Sequence, residues 1–146
     1  MAITRFAEAT WNGDLLNGSG TLNYVSSGAF SRMPVTWASR TEEHNGRTSP
    51  EELIAAAHAA CFSMAFSGQL ARNSTPAEKL DVRAVVTFDK TDAGWKITRS
   101  DLTVRGVVPG IDEARFVELA NAAKDGCPVS GALKGNVELS VDAALA

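Results

Sequence analysis

Two cysteines and two histidines are the side chains of this 146-residue chain that could serve as nucleophiles, proton carriers or soft metal ligands. The cysteines are Cys61 and Cys127, and the histidines are His44 and His58. A thiolate is both a nucleophile and a metal ligand, and an imidazole can take up its proton. The sequence contains no phosphate-binding loop, dinucleotide-binding glycine fingerprint, G-x-S-x-G, H-E-x-x-H or C-x-x-C motif. Any chemistry must therefore centre on these four residues and on nearby arginines and carboxylates.

The two cysteines lie in different sequence contexts. Cys61 follows Ala59 and Ala60 in an alanine-rich run, where a free cysteine commonly packs as a small hydrophobic side chain. Cys127 stands between Gly126 and Pro128, at the predicted start of a helix whose unsatisfied N–H groups would favour a thiolate. Context alone therefore makes Cys127 the more acidic thiol, and each cysteine also has a purely structural interpretation.

The histidines have structural interpretations as well. His58 lies one helical turn before Cys61 on the same helix face, with Cβ atoms about 5–6 Å apart. It could tune or deprotonate that thiol, but we favour a core histidine bonded to a backbone carbonyl. His44 lies in a polar segment and is expected to be solvated. A zinc site would need both histidines together with Cys61 and Cys127, and none of the four has the spacing of a structural zinc site.

Length and composition indicate one soluble domain, spanning residues 1–146. The chain is 45% hydrophobic and 21% charged, as in ordinary globular proteins. Its net charge of -3 excludes a strongly basic nucleic-acid binder and gives no attraction to an anionic membrane. The N-terminus lacks the pattern of a signal peptide. The longest apolar run, Leu53 to Phe66, is shorter than the ~20 residues that span a bilayer, so we expect a cytoplasmic protein.

The first half of the chain predicts a β-meander followed by a loop. Three strands are expected at Ile3–Trp11, Thr21–Val25 and Met33–Trp37, with Asn12-Gly13 as a two-residue hairpin turn. Pro34 cannot donate to a strand ladder, so the third strand should lie at an edge. Residues 38–48 are polar and aperiodic, which predicts a loop.

A helix with complete start signals follows this loop. Ser49 can cap it, Pro50 fits its first position, and two glutamates follow in its first turn. Nearly every residue from Leu53 to Phe66 is apolar, which predicts a helix buried on all sides that runs to about Arg72. One copy of the chain would not cover such a helix, so we expect an intimate homodimer.

The second half predicts strands and two further helices, which completes an α+β fold: antiparallel strands around a long buried central helix. A bulge or bend is expected near Ser100, where the apolar alternation changes phase. The expected elements are strands at Leu80–Asp89 and Trp95–Val108, an amphipathic helix at Ile111–Lys124, a short helix after Cys127, and a closing strand at Asn136–Ala143.

Several segments resemble motifs of the OsmC/Ohr family of thiol peroxidases. The run Ser49–Ala65 resembles its first cysteine motif, and Val108–Asp112 and Gly126–Ser130 resemble its later signatures. Trp11–Asp14 also fits, so the likeness spans essentially the whole chain and is nearer to the OsmC branch. The resemblance implies an intertwined homodimer that reduces hydroperoxides, preferentially organic ones, with no cofactor, metal or flavin.

The same resemblance implies a role for each site residue. Cys61 is the peroxidatic thiolate, and Cys127 is the resolving cysteine that forms a disulfide with the Cys61 sulfenic acid. Arg40 should stabilise the thiolate, with Arg47 as its rival, and Glu51 should hold the arginine. Glu51 lies ten residues before Cys61, about 15 Å along a helix. We therefore prefer an arrangement in which Glu51 serves the partner subunit's cysteine rather than its own.

The resemblance implies an external dithiol reductant of the dihydrolipoyl type as the partner. Two other classes of protein stay open from the sequence. One is a noncatalytic binding module with an apolar pocket and two inert thiols. The other is a structural zinc protein.

Overall fold

The computed structural model describes residues 1–146 and contains six strands and four helices. The chain divides into two compact units, residues 1–53 and 54–146. The predicted α+β class is confirmed, whereas the assignment of 1–146 as a single domain stays a prediction. In chain order the elements are β1 (Ala7–Asn12), β2 (Ser19–Val25), β3 (Ser31–Val35), α1 (Trp37–Thr41), α2 (Pro50–Arg72), β4 (Lys79–Thr91), β5 (Gly94–Val107), α3 (Glu113–Gly126), α4 (Pro128–Leu133) and β6 (Glu138–Leu145).

The first unit contains a three-stranded antiparallel sheet in the order β1-β2-β3. Pro34 lies in β3, an edge strand, as its missing N–H requires. The predicted two-residue turn at Asn12-Gly13 is wrong, because Asn12 pairs with Ser19 and residues 13–18 form the connection. The Asp14 carboxylate closes that connection by accepting two backbone N–H groups. A local side-chain turn therefore overrides the Asn-Gly signal.

The segment predicted as a loop, residues 38–48, contains most of helix α1. The Thr36 hydroxyl accepts a hydrogen bond from the Ser39 backbone N–H, and the Ser39 hydroxyl accepts one from the Thr36 backbone N–H. These two bonds form a reciprocal capping box, with serine in the position where glutamate or glutamine is usual. Arg40 consequently lies on a helix rather than in a loop.

Helix α2 starts and ends where the sequence predicts. The Ser49 hydroxyl accepts a hydrogen bond from the Glu52 backbone N–H at 3.1 Å, and the helix runs from Pro50 to Arg72. The Glu52 carboxylate accepts from the Thr48 hydroxyl instead of returning to the cap. Only one half of the expected capping box therefore forms.

One face of α2 is fully buried in the chain. His58, Phe62, Phe66 and Leu70 recur at a spacing of four and are 0% exposed. On another face Met64 is 70% exposed. As expected from the sequence, one copy of the chain does not cover this helix, because its own sheet covers only one stripe. Burial of the other faces by a second copy stays a prediction.

By length and composition, α2 could cross a membrane. It has 23 residues with a mean hydropathy of 1.3 over its most apolar window, and 22% of that window is buried. The helix is thus longer than the Leu53–Phe66 run that argued against a membrane span. The core helix of a soluble protein meets the same criterion.

The second unit is built on the sheet β4-β5-β6, in which β5 is antiparallel to β4 and parallel to β6. Thr87 pairs with Arg99 and Phe88 pairs with Ile97, which leaves one extra residue on β5. The predicted bulge near Ser100 is therefore confirmed, two residues earlier at position 98.

The core of the second unit joins α2, β5 and α3. Phe66 and Phe116 pack with ring centroids 5.0 Å apart. Gly106 lies beneath Phe116, and a Cβ at position 106 would lie 2.7 Å from that ring. The remaining core side chains come mainly from these elements: Phe62, Leu70, Leu102, Val104, Leu119, Ala120 and Ala123. This core packs α2 against β5 and α3, and Cys127 follows at the junction of α3 and α4.

Candidate active site

The second unit brings the two cysteines together. Their Sγ atoms are 2.9 Å apart although 66 positions separate them in the sequence. Both are free thiols, and a disulfide would require about 2.05 Å. Cys127 is 1% exposed, whereas Cys61 is only partly buried. One chain therefore contains two reduced sulfurs that can share a hydrogen or form a bond.

Different elements hold the two sulfurs. Cys61 lies on α2, three residues after the fully buried His58. Cys127 ends α3 and begins α4, with an extended backbone between the two helices. Cys127 stands at the N-cap position of α4, but its Sγ makes no capping hydrogen bond to that helix and has Cys61 Sγ as its partner. The Cys127 sulfur thus lies close to the start of α4, where the first N–H groups of a helix have no partner within the helix.

The two thiols differ in acidity. Burial alone would raise the pKa of the Cys127 thiol, but the contact with Cys61 and the polar groups of Ser130 and Val129 at the start of α4 outweigh burial and lower it. Burial and the hydrogen bond with Cys127 raise the pKa of Cys61. Within one chain Cys127 is the more acidic thiol, as its sequence context predicts.

His58 lies in the core next to this pair and makes two side-chain hydrogen bonds. Its Nδ1 lies 2.7 Å from the Ser100 hydroxyl, and its Nε2 lies 2.8 Å from the Ser130 hydroxyl. The predicted backbone-carbonyl partner is wrong, because both ring nitrogens bond hydroxyls. Burial lowers the pKa of His58, so the imidazole is neutral at physiological pH.

Arg40 and Glu51 form an ion pair within the first unit. Arg40 donates from Nη2 to Glu51 Oε1 at 2.6 Å and from Nε to Oε2 at 3.2 Å. The Arg40 and Glu51 side chains are 28% and 8% exposed. The guanidinium also lies 5.7 Å from the centroid of the Trp37 ring. Its rival Arg47 is exposed and makes no ion pair. The structure therefore pairs Glu51 with Arg40 rather than with Arg47.

A pocket of about 320 Å³ adjoins this ion pair in the first unit. Two tryptophans and two aliphatic side chains form most of its wall, and Arg40 supplies its cationic group. The lining residues are Trp11, Leu15, Val35, Thr36, Trp37, Arg40 and Pro50. The pocket can hold a small molecule that combines an apolar group with an oxygen-rich end.

The four side chains of the hypothetical zinc site do not form a cluster. No group of three or more histidine, cysteine or acidic residues is placed to hold a metal ion. His44 lies in an exposed loop, where its Nδ1 accepts from the Gly46 backbone N–H at 3.3 Å. Both ring nitrogens of His58 already bond serines.

Sequence reasoning missed Ser100 and Ser130 as parts of the site. Ser100 lies in phase with Leu102 and Val104, whose side chains face the core from β5. A serine in a core-facing position implies a buried hydrogen-bond partner, and that was the available signal. Ser130 follows Cys127 by three residues on α4, and its hydroxyl bonds His58 Nε2 at 2.8 Å.

The sequence of this chain matches one described protein family and curated members of it. Residues 43–142 match the family described as OsmC-like protein. The chain is 43% identical to peroxiredoxin OsmC of Escherichia coli over 139 residues, covering 95% of this chain and 96% of that protein. It is 33% identical to the organic hydroperoxide resistance protein OhrB of Bacillus subtilis over 97 residues, covering 65% and 68% of the two chains.

Solved structures show the same fold. The crystal structure of OhrB from Bacillus subtilis matches with a TM-score of 0.72 and 26% identity, covering 94% of this chain and 97% of that one. An organic hydroperoxide resistance protein from Elizabethkingia anophelis matches with a TM-score of 0.76 over the full length of both chains. Its identity of 22% supports the fold alone.

Proposed function

The chain belongs to the OsmC/Ohr family of thiol-dependent hydroperoxide peroxidases, and from this premise we propose how its own residues carry out the reaction. The Cys61 thiolate attacks the terminal oxygen of a hydroperoxide, and the O–O bond breaks. The alkoxide leaves and is protonated to an alcohol, while Cys61 becomes a sulfenic acid. The Cys127 sulfur then displaces the sulfenic oxygen, which leaves as water. The product is a Cys61–Cys127 disulfide.

The observation that carries this proposal is the 2.9 Å distance between the two free sulfurs. Disulfide formation requires that the resolving sulfur reach the sulfenic sulfur. Since the sulfurs already lie within hydrogen-bonding distance, no large rearrangement has to precede the second step. The greater exposure of Cys61 supports its role as the sulfur that meets the peroxide first.

The raised pKa of Cys61 means that its thiolate needs a nearby cation. We assign the role of this cation to Arg40, because a guanidinium stays charged and has several hydrogen-bond donors. Glu51 fixes the guanidinium through two hydrogen bonds, and this leaves the plane of Arg40 in one orientation. Arg40 and Glu51 are therefore proposed as site residues together with Cys61 and Cys127.

We further propose that Arg40 and Glu51 act on the cysteine of the partner subunit in an intertwined homodimer. The exposed apolar side of α2 supports this, since only 22% of its most apolar window is buried by its own chain. A second copy would cover residues such as Met64, which is 70% exposed. Burial of apolar surface is the usual driving force of such association.

The apolar pocket beside Arg40 supports organic hydroperoxides as substrates. Its tryptophan and aliphatic walls would bind an alkyl or aryl group by burial of apolar surface, and Arg40 would orient the peroxide oxygens. Hydrogen peroxide has no apolar group, so the apolar walls would add no binding free energy for it. We therefore expect organic hydroperoxides to be the better substrates.

The remaining partner is a reductant. An external dithiol of the dihydrolipoyl type would attack the disulfide and return both cysteines to thiols. The proposed cycle uses only sulfur and oxygen chemistry, so it requires no metal, flavin or other cofactor. It takes place in the cytoplasm, where thiol reductants keep cysteines reduced, and involves neither nucleic acid nor a membrane.

Steady-state turnover tests the proposal. The protein is supplied with a dithiol and with cumene hydroperoxide, tert-butyl hydroperoxide or hydrogen peroxide in turn. We expect faster turnover with the organic substrates and none above background in Cys61→Ser. Cys127→Ser should consume one equivalent of peroxide and then slow sharply. Undiminished turnover in Cys61→Ser would overturn the proposal.

A further inference from the structure

The apolar pocket beside Arg40 has a wall made of two side chains that meet above a glycine. Trp11 on β1 and Val35 on β3 both lie directly opposite Gly20 on β2, the middle strand of the first sheet. Directly opposite residues of antiparallel strands project from the same face of the sheet, so the three positions form one row. Gly20 is buried and does not line the pocket, whereas Trp11 and Val35 do. The two side chains therefore lie between Gly20 and the pocket.

Position 20 has no room for a side chain. A Cβ at Gly20 would lie 2.7 Å from Trp11 Cε3 and 2.7 Å from Val35 Cγ2. Carbon atoms in ordinary contact are about 3.5–4.0 Å apart. A glycine inside a strand commonly marks a place where another group approaches the backbone closely. Here that group is the Trp11 indole, which occupies the space that a side chain at position 20 would fill.

A methyl group at position 20 would displace the indole into the pocket. The backbone of β2 lies behind the added methyl, so the ring has to move off the sheet toward the side of the pocket. The Trp11 Nε1 donates to the Gly13 carbonyl oxygen at 3.1 Å, and this bond opposes sliding of the ring along the strand. The pocket has a volume of about 320 Å³, and sites for small molecules begin at about 300 Å³. A shift of one wall therefore removes space that a ligand needs.

We propose that Gly20 is a specificity-determining residue: because it has no side chain, Trp11 and Val35 lie low over β2, and the pocket keeps room for a phenyl ring beside Arg40. This inference rests on the proposed function, which places the apolar end of an organic hydroperoxide in this pocket. Aromatic rings favour stacked or edge-to-face contacts with one another, and Trp11 and Trp37 supply such surfaces. The substrate class is thus an aryl hydroperoxide, with its peroxide oxygens toward Arg40.

Steady-state kinetics of Gly20→Ala with three peroxides tests this role. We expect kcat/KM to fall about tenfold for cumene hydroperoxide and about twofold for tert-butyl hydroperoxide, because one carbon more or less in an apolar site has effects of this order. Hydrogen peroxide needs no room for an apolar group, so its kcat/KM should be unchanged. Equal losses for the three peroxides, or no loss for cumene hydroperoxide, would overturn the proposal.

Gly106→Ala is the matched control for overlap with an aromatic ring. A Cβ at Gly106 would also lie 2.7 Å from a ring, that of Phe116, but Gly106 belongs to the second unit and does not line the pocket. Gly106→Ala should therefore change kcat/KM by the same factor for all three peroxides. A loss confined to cumene hydroperoxide in Gly106→Ala would show that the preference reports stability rather than the pocket, and the proposal would be wrong.

A double-mutant cycle tests whether Gly20 acts through the indole. In the Trp11→Ala background the added methyl has the space of the missing ring. We therefore expect Gly20→Ala to change kcat/KM for cumene hydroperoxide by less than about twofold in that background. A full tenfold loss there would mean that the effect of Gly20→Ala does not pass through Trp11, against the proposal.

Binding of cumyl alcohol, the alcohol formed from cumene hydroperoxide, tests the pocket without turnover. The chain has three tryptophans, and the spectrum of Trp11→Phe assigns the indole N–H signal of Trp11. In the wild-type protein this signal should shift on titration with cumyl alcohol, whereas that of Trp95, which stacks on Phe88 in the second unit, should not. tert-Butanol should bind at least about tenfold more weakly, because it has less apolar surface to bury. An unmoved Trp11 signal would overturn the proposal even if Gly20→Ala does not fold.

Failure of this inference and failure of the proposed function give different results. If wild type reduces cumene hydroperoxide and Gly20→Ala has the same preference among the peroxides, only the role of Gly20 is wrong. If wild type reduces none of the peroxides, the proposed function has failed. The titration then still decides the role of Gly20, since Gly20→Ala should bind cumyl alcohol about tenfold more weakly than wild type, and equal affinity would contradict it.

Discussion

Arg40 and Glu51 are joined by two hydrogen bonds, of 2.6 and 3.2 Å, although one side chain lies on α1 and the other on α2. The carboxylate is nearly buried, so this pair fixes the guanidinium in one plane. Arg47, only seven residues further along the chain, has no such partner. Substitution of Arg47 is therefore a matched control for substitution of Arg40.

Arg40→Ala should lower kcat/KM for cumene hydroperoxide by about a hundredfold, because the Cys61 thiolate loses its cation. Arg40→Lys should recover little of this loss, since a lysine cannot form the paired bonds with Glu51. Arg47→Ala is the control and should stay within about twofold of wild type. Equal losses in Arg40→Ala and Arg47→Ala would show that the assignment of the arginine is wrong.

The same substitution should affect folding. Arg40→Ala leaves the Glu51 carboxylate buried without its cation, and we expect a loss of about 1–3 kcal/mol in the free energy of unfolding. Chemical denaturation measures this quantity. Combined replacement by Arg40→Met and Glu51→Gln should restore part of the stability but none of the activity. Recovery of activity in that double variant would contradict the electrostatic role.

Mixed dimers test whether the ion pair serves the partner subunit. In a heterodimer of Cys61→Ser and Glu51→Ala, one intact cysteine faces an intact Glu51 only if the two come from different subunits. Equal mixing with full subunit exchange should then restore up to about a quarter of wild-type activity. Each variant incubated alone is the control. Exchange, measured by mass, without any recovery would place Glu51 in the same subunit as the cysteine it serves.

The pocket beside Arg40 predicts a change in substrate preference on Leu15→Ser. Leu15 lines the pocket and is 54% exposed, so its replacement should not unfold the protein. We expect KM for cumene hydroperoxide to rise about fivefold, with KM for hydrogen peroxide unchanged, because only the organic substrate has apolar surface to bury. Leu16→Ser is the control, since Leu16 is 73% exposed and does not line the pocket. The same rise for both peroxides would argue against this pocket.

His58 predicts how stability depends on pH. Burial holds its pKa below 6.5, so the unfolded chain binds a proton that the folded chain does not. This stabilisation is complete above pH 6.5 and is lost as the pH falls from 6.5 toward the folded pKa, by up to about 1.4 kcal/mol per pH unit. Denaturant unfolding between about pH 7 and 5 measures the slope. The slope should decrease in His58→Gln, and an unchanged slope would mean that the fold does not lower the pKa of His58.

Local signals in the sequence predict most of the fold. The cap at Ser49, the apolar run that follows it and the alternation in β4 and β5 depend on neighbouring residues, and each gives the element expected. The helix at residues 37–41 was missed because its capping box uses a serine in the third position. The turn after Asn12 was missed because Asp14 closes a longer connection with its side chain.

The candidate site depends on contacts between distant residues, which periodicity does not reveal. Ser100 meets His58 across 42 positions, and Ser130 meets it across 72. The choice between Arg40 and Arg47 likewise depends on which arginine reaches Glu51. The greater acidity of Cys127 could be predicted, because its position at the start of a helix, just before Pro128, is visible in the sequence.

Trapping of the sulfenic acid tests most directly whether Cys61 attacks the peroxide. Cys127→Ser is treated with one equivalent of cumene hydroperoxide in the presence of a sulfenic-acid reagent, and the labelled peptide is identified by mass spectrometry. We predict one adduct, on Cys61, and no adduct on Cys127 in the matched Cys61→Ser protein. An adduct that forms on Cys127 in Cys61→Ser at the same rate would contradict the account, since Cys127, the more acidic thiol in the chain, would then be the sulfur that reacts with the peroxide.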